Sequence, residues 1–252
     1  MEWGKLFVLL LSGVAAGFIN SMAGGGSLLT LPALMLVGLP PDVANGTNRL
    51  GILVQSITSY IDYRRSGIKG FGRNFLFLIP LCVGAIAGAL TVDYVPNEYL
   101  NYIIVAAMLL AASSLFIQPS KWSKPIGSVP TTFVRNPLAW IAIMMVGFYA
   151  GFIQVGANFM VLTILVLWGG FDLLHANAFK QLAQLAFTLL VLPIFIANGN
   201  VSWFPGLFLA VGSAIGAWVG ARLAVKRGAK LVRWLLLASI VAFAIKQVVE
   251  WL

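Results

Sequence analysis

Asn20, Ser21, Gly24, Gly25, Gly26 and Ser27 crowd into eight residues between two apolar runs, 6–19 and 28–37. A second, sparser copy stands at Gln154, Gly156 and Asn158. In a soluble protein three consecutive glycines would make a turn. Here they fall where a bilayer would otherwise require unbroken helix. Breaking a helix in hydrocarbon exposes backbone N–H and C=O groups, which is tolerated only beside protein or a wet cavity. The break therefore predicts a cavity. Short helices starting right after the glycines would turn their unpaired N–H groups and positive dipole ends toward it, which suits an anionic group. The glycines allow close backbone approach and Ser27 adds a hydroxyl, although small residues in membranes also serve tight helix packing.

Two cations strengthen the functional reading. Arg49 lies one to two turns into the helix after the first short apolar piece, and Lys180 holds the matching place after the second. Cations at membrane depth are expensive and by default mark a function, with snorkelling to an interface as the alternative. Around them Asn45, Thr47, Asn48, Gln55, Ser56, Asn177, Gln181 and Gln184 supply neutral donors, several sharing a helix face. Every acid, namely Glu2, Asp42, Asp62, Asp93, Glu98, Asp172 and Glu250, sits near the end of an apolar segment. No mid-membrane carboxylate offers itself as a proton relay. His175, where a loop enters a helix, reads as a hydrogen-bonded structural histidine. With one histidine and one cysteine, Cys82, no metal spacing and no nucleophile-base pair exist, so neither a metal, a cofactor nor an intramembrane enzyme is expected.

The elements that must position these residues follow from composition. The chain is 60% hydrophobic and 9% charged, far from the roughly one-quarter charged share of soluble domains. That predicts an all-α polytopic membrane protein with lipid as its surroundings. The net charge of +9 gathers in short loops between apolar runs, which argues orientation rather than nucleic-acid binding. Apolar segments cover 5–22, 27–37, 43–63, 74–92, 99–117, 138–155, 158–168, 175–197, 204–224 and 231–252. Eight have spanning length, and the two short ones, 27–37 and 158–168, read as half-helices of broken or re-entrant hairpins.

The short pieces stand second in each half. Gly17-Phe18-Ile19 before the first glycine stretch returns as Gly151-Phe152-Ile153 before the second, and Ala44-Asn45 returns as Ala176-Asn177. The division is therefore a first transmembrane repeat at 1–118, a proline- and lysine-bearing linker at 119–136, and a second repeat at 137–252. Basic loops, with Arg64, Arg65, Lys69 and Arg73, with Lys121, Lys124 and Arg135, and with Arg222, Lys226, Arg227 and Lys230, are expected in the cytoplasm. The loops with Asp93 and Glu98, and with 198–200, are expected outside. These points agree only if each long-plus-short pair returns to its starting side, which puts both termini outside and inverts the second repeat.

Gly17 to Ser27, followed by Pro32 and by Ala44-Asn45-Gly46-Thr47-Asn48, resembles the TauE/SafE sulfite exporter family of membrane permeases. Gly151 to Ala157 and Ala176-Asn177-Ala178 resemble that family's second repeat, so the resemblance covers nearly the whole chain. It departs at Asn158, where a glycine is common in the family. The resemblance implies movement of sulfite, an organosulfonate or a related small sulfur oxyanion across a bacterial inner membrane, usually outward. The expected substrate-binding residues are Asn20, Gly24, Gly25, Gly26, Ser27, Asn45, Thr47, Asn48 and Arg49 in the first repeat. In the second they are Gln154, Gly156, Asn158, Asn177, Lys180 and Gln181. The alternatives are a carrier of another solute or of a cation, and a non-transporting membrane subunit.

Overall fold

The computed structural model describes residues 3–22, 24–68, 71–96, 99, 127 and 136–226. Among them the regular structure is entirely helical. The expected spans 99–117 and 231–252, nearly all of the linker, and Lys69, Arg227 and Lys230 lie outside the described residues.

Helix α1 (Trp3–Met22) ends at the glycine stretch, and α2 (Ser27–Leu36) starts beyond it. Helix α3 (Pro41–Arg65) begins with proline at its first position, where no N–H is needed. A 3-10 turn (Gly72–Phe77) leads into α4 (Leu78–Thr91). In the second half α5 (Pro137–Phe152) ends at the second break, and α6 (Ala157–Thr163) follows, loosening into a π-helical turn over Ile164–Trp168. Helix α7 (Leu173–Ala197) is capped by Asp172, whose Oδ1 accepts from the backbone N–H of Leu174 and His175. Helix α8 covers Trp203–Lys226.

Four helical stretches are long and apolar enough to cross a membrane: Trp3–Met22, Gly72–Tyr94, Leu173–Ala197 and Trp203–Lys226. Two other expected spans differ for local reasons. Pro41–Arg65 has 25 residues but carries the polar row from Asn45 to Ser59, and Pro137–Phe152 stops after 16 because the second break begins there.

Polarity is distributed inside out. Leu11, Ile79, Val83, Leu90, Ile141, Met145, Leu207 and Ile215 are exposed, whereas Asn20, Asn48, Arg49, Lys180, Gln181 and Gln184 are buried. That arrangement suits hydrocarbon surroundings, where polar groups must find partners within the protein.

Glycines set the helix pairing. Gly13 and Gly17 of α1 pack on the backbone of Leu209 and Ser213 of α8, while Gly212, Gly216 and Gly220 of α8 pack on Leu10, Val14 and Phe18 of α1, and a Cβ on Gly216 would fall 1.9 Å from Val14 O. Gly84 and Gly88 of α4 pack on Met144 and Phe148 of α5 in the same way, and Gly147 and Gly151 of α5 on Leu81 and Ala85 of α4, with a Cβ on Gly88 1.9 Å from Phe148 O. Without lipid-excluding hydrophobic force between helices, such close backbone contact is what holds them together. In both pairs the contacting residue numbers rise together, so the partners run parallel.

Helices α3 and α7 form the centre, with Gly46 and Arg49 against Phe195. The loop ends add tethers. Asn198 and Asn200 donate to Asp93, which joins the two loops expected outside. Arg222 pairs with buried Asp62 at 3.7 Å, which joins two of the basic ends. The Gly127 N–H of the linker donates to Asp172 Oδ2 at 3.0 Å, so the linker touches the turn that follows α6.

Candidate functional site

The two breaks lie against each other. A Cβ on Gly24 would sit 3.2 Å from Asn158 Cβ, and one on Gly25 only 2.5 Å from the Phe159 ring. Gly24 and Gly25 have φ of +122° and +92°, a backbone that side chains rarely adopt, so glycine is needed there for both conformation and space. At the second break Gly156 takes φ +73° and Gln154 takes φ +68°, the single non-glycine with positive φ among the described residues. All of the expected binding residues are buried.

A helix that stops leaves its last carbonyls unpartnered. Around the end of α1 each finds a donor. The Gly24 N–H donates to Ile19 O, and Ser21 Oγ donates to Phe18 O. Asn20 O accepts from Lys180 Nζ and Gln181 Nε2, both at 2.9 Å. Ser21 O accepts from Tyr63 Oη at 2.8 Å, and Met22 O from Asn177 Nδ2 at 2.7 Å. Lys180 also donates to Asn177 Oδ1 at 2.6 Å. Thus α7 supplies the first break with a positive charge at the negative end of the α1 dipole, where a cation is stabilised.

The end of α5 is treated likewise by α3. Arg49 donates through Nη1 to Ala150 O at 3.3 Å and through Nη2 to Gly151 O, while Asn45 Nδ2 donates to Phe152 O at 2.8 Å. The guanidinium also lies 4.2 Å over the Phe195 ring, a favourable cation–π position. The N–H groups of Ile153 and Gln154 return to Tyr149 O, and Tyr149 Oη donates to Val155 O. Each half therefore closes the other's broken helix.

Asn20 is the hub of the first break. Its Oδ1 accepts from the Gly26 N–H at 2.7 Å, closing the turn into α2, and its Nδ2 donates to Gln55 Oε1 at 3.2 Å. Ser27 and Asn48 are joined at 3.3 Å, and Asn48 Oδ1 accepts from Thr30 Oγ1 at 2.6 Å, which fastens the start of α2 to α3. Thr47 is set apart, since its hydroxyl accepts from the Ser202 N–H in the turn before α8. His175 pairs through Nδ1 with Asp172 Oδ2 at 2.7 Å, the structural role expected of it. Among the described residues no cluster of histidine, cysteine and acid side chains could hold a metal.

Tyr63 and Tyr149 were not singled out by sequence. Each donates to a backbone carbonyl at a break, a role with no local signature because the phenol reads as an ordinary aromatic. Gln55 belonged to the polar row of α3 but was not among the expected binding residues.

Comparison with known proteins agrees with this architecture. The sulfite exporter TauE/SafE family model matches residues 9–247. The chain is 30% identical over 241 residues to the probable membrane transporter protein ORF9 of Sinorhizobium sp, covering 96% of this chain and 91% of that one. It is 34% identical over 228 residues to the probable membrane transporter protein YfcA of Escherichia coli K12, covering 90% and 84%. A probable membrane transporter protein of Haemophilus influenzae is 26% identical over 228 residues, covering 90% and 88%. No solved structure matches the chain. With buried broken helices, lipid-suited outer faces and a family match over most of its length, the chain is a multi-pass membrane protein that belongs to the TauE/SafE family of membrane transporters.

Proposed function

We propose that the protein carries a small sulfur oxyanion, sulfite or an organosulfonate, across the bacterial inner membrane by alternating access between two inverted repeats. The observation that carries this reading is the meeting of the two breaks, with Gly24 and Gly25 against Asn158 and Phe159 and the N-terminus of α2 beside them. A broken helix at membrane depth that turns an N-terminus toward a partner break is the arrangement that secondary transporters use for anionic groups. Inversion is supported by the matched pairs α1–α8 and α4–α5 and by the exchange of capping side chains between α3 and α7. The repeats would comprise 1–118 and 137–252, with the linker in the cytoplasm and both termini outside. On this reading Arg49 and Lys180, which cap the broken ends, keep the central region positive, and Gly26, Ser27, Asn48 and the amides near Asn20 would line the path.

The test is uptake of radiolabelled sulfite into proteoliposomes holding the purified protein, with an imposed potential of either sign. An anion moving alone gains about 2.3 kcal/mol per charge per 100 mV when it leaves the negative side. Flux should therefore rise when the vesicle interior is positive and vanish in Gly25→Leu, whose insertion into the membrane is expected to persist. Sulfite flux favoured by a negative interior would instead show that the anion enters with an excess of co-transported cations, and no flux of any sulfur anion would overturn the substrate assignment.

A further inference from the structure

The hydrogen bonds around Asn20 fix the orientation of the Gln55 and Gln181 amides. The Gly26 N–H can only donate, so the atom facing it is Asn20 Oδ1, which leaves Asn20 Nδ2 as the donor to Gln55. The Gln55 atom receiving that bond must be Oε1, so its free end is Nε2, a donor. Asn20 O can only accept, so Gln181 turns Nε2 toward it, and the free end of Gln181 is Oε1, an acceptor. Both free ends are buried and lack a partner among the described residues. Gln55 and Gln181 are 1% and 0% exposed. Burying an unpaired amide end is unfavourable, so such atoms call for an occupant.

We infer that Gln55 and Gln181 form the two ends of a neutral recognition pair that selects oxyanions bearing a hydrogen-bond donor over oxyanions with acceptors alone. This rests on the anion-transport reading and narrows its substrate class. An oxygen of the ligand accepts from Gln55 Nε2 beside the N-terminus of α2, while an O–H or N–H of the same ligand donates to Gln181 Oε1. A hydrogen oxyanion or an aminosulfonate meets both ends. A fully deprotonated or simple alkyl anion leaves Gln181 Oε1 unpaired and places its own oxygens against it. Sites built to hydrogen-bond a substrate proton reject analogues that lack it far more strongly than apolar pockets discriminate by size. The carboxylates among the described residues, Asp42, Asp62, Asp93 and Asp172, all lie at or near helix ends, away from Asn20, so none competes for the ligand's proton.

The matched probes are sulfamate and methanesulfonate, monoanions of similar shape in which an amino group replaces a methyl group. Thermal stabilisation of the full-length protein in detergent should reach half-saturation at a sulfamate concentration at least about tenfold below that for methanesulfonate. Gln181→Met should bring the ratio to about one. Gln55→Met should weaken both ligands while keeping the ratio, so the inference stays testable even where Gln181→Met fails to fold. Equal stabilisation by the two anions, stabilisation by neither, or a preference that survives Gln181→Met would overturn it. The two readings fail separately. Sulfite flux without the sulfamate preference removes the recognition pair and leaves transport, whereas the preference without flux of any sulfur anion leaves the pair and removes transport.

Discussion

The two helix breaks solve one problem with different residues. The first places three glycines in a row, lets Gly24 and Gly25 take positive φ, and uses the Asn20 side chain to hold the Gly26 N–H. The second has one glycine at the turn, keeps a glutamine at φ +68°, and leaves both polar atoms of the Gln154 side chain unpartnered among the described residues. Their capping cations differ as well. Lys180 gives its charge to one carbonyl that Gln181 also holds, whereas Arg49 alone spans two carbonyls. A lysine is a point charge and an arginine a planar fork, so the two are not interchangeable. At its cation the first break is thus held redundantly, whereas at the second the carbonyls of Ala150 and Gly151 rely on Arg49 alone for a side-chain donor, with Asn45 holding the next carbonyl.

That contrast can be broken by substitution, beginning with the largest effect. Arg49→Gln should destabilise the protein by about 4 kcal/mol, since two buried carbonyls lose their donor at about 1–3 kcal/mol each and the Phe195 contact goes too. Thermal unfolding in detergent measures it, and a loss no greater than that of the corresponding lysine variant would remove the asymmetry. Lys180→Met should be milder, about 2 kcal/mol, because Gln181 still donates to Asn20 O. Arg49→Lys should fall near 1.5 kcal/mol by the same assay, keeping one of the two carbonyl bonds. Gln154→Gly should stabilise by about 1 kcal/mol through relief of left-handed strain, the opposite sign from the others. Denaturant titration resolves that sign, and a destabilised variant would mean that the Gln154 side chain has a partner that holds it.

Much of this architecture is written locally. Apolar runs interrupted by glycine place the breaks to within a residue or two, because a break in hydrocarbon needs backbone freedom that glycine supplies. The lengths of α2 and of the piece from Ala157 to Trp168 follow from the same punctuation. Spans were harder to read where polarity and helix coexist. Helix α3 carries Asn45, Asn48, Arg49, Gln55, Ser56 and Ser59, all buried, and only neighbours that face them make such a row compatible with the membrane.

The site divides in the same way. The amides and cations of α3 and α7 announce themselves by being polar at membrane depth, and their i, i+3 and i, i+4 spacing places them on one face. What each one touches is nonlocal. Asn45 finds Phe152 O at a separation of 107 residues, and Asn177 finds Met22 O at 155. By charge alone Arg49 and Lys180 suit an anion, yet the folded chain first uses them to close helix ends in the opposite half.

Composition, glycine position and loop charge are properties of short stretches, so the sequence by itself determined the membrane class, the two breaks and the polar residues around them. Which carbonyl each donor reaches, and therefore which amide ends are left without a partner, depends on how helices distant in sequence lie against one another. That was decided by the tertiary structure alone, because a buried hydrogen bond is specified by both partners and local sequence names only one.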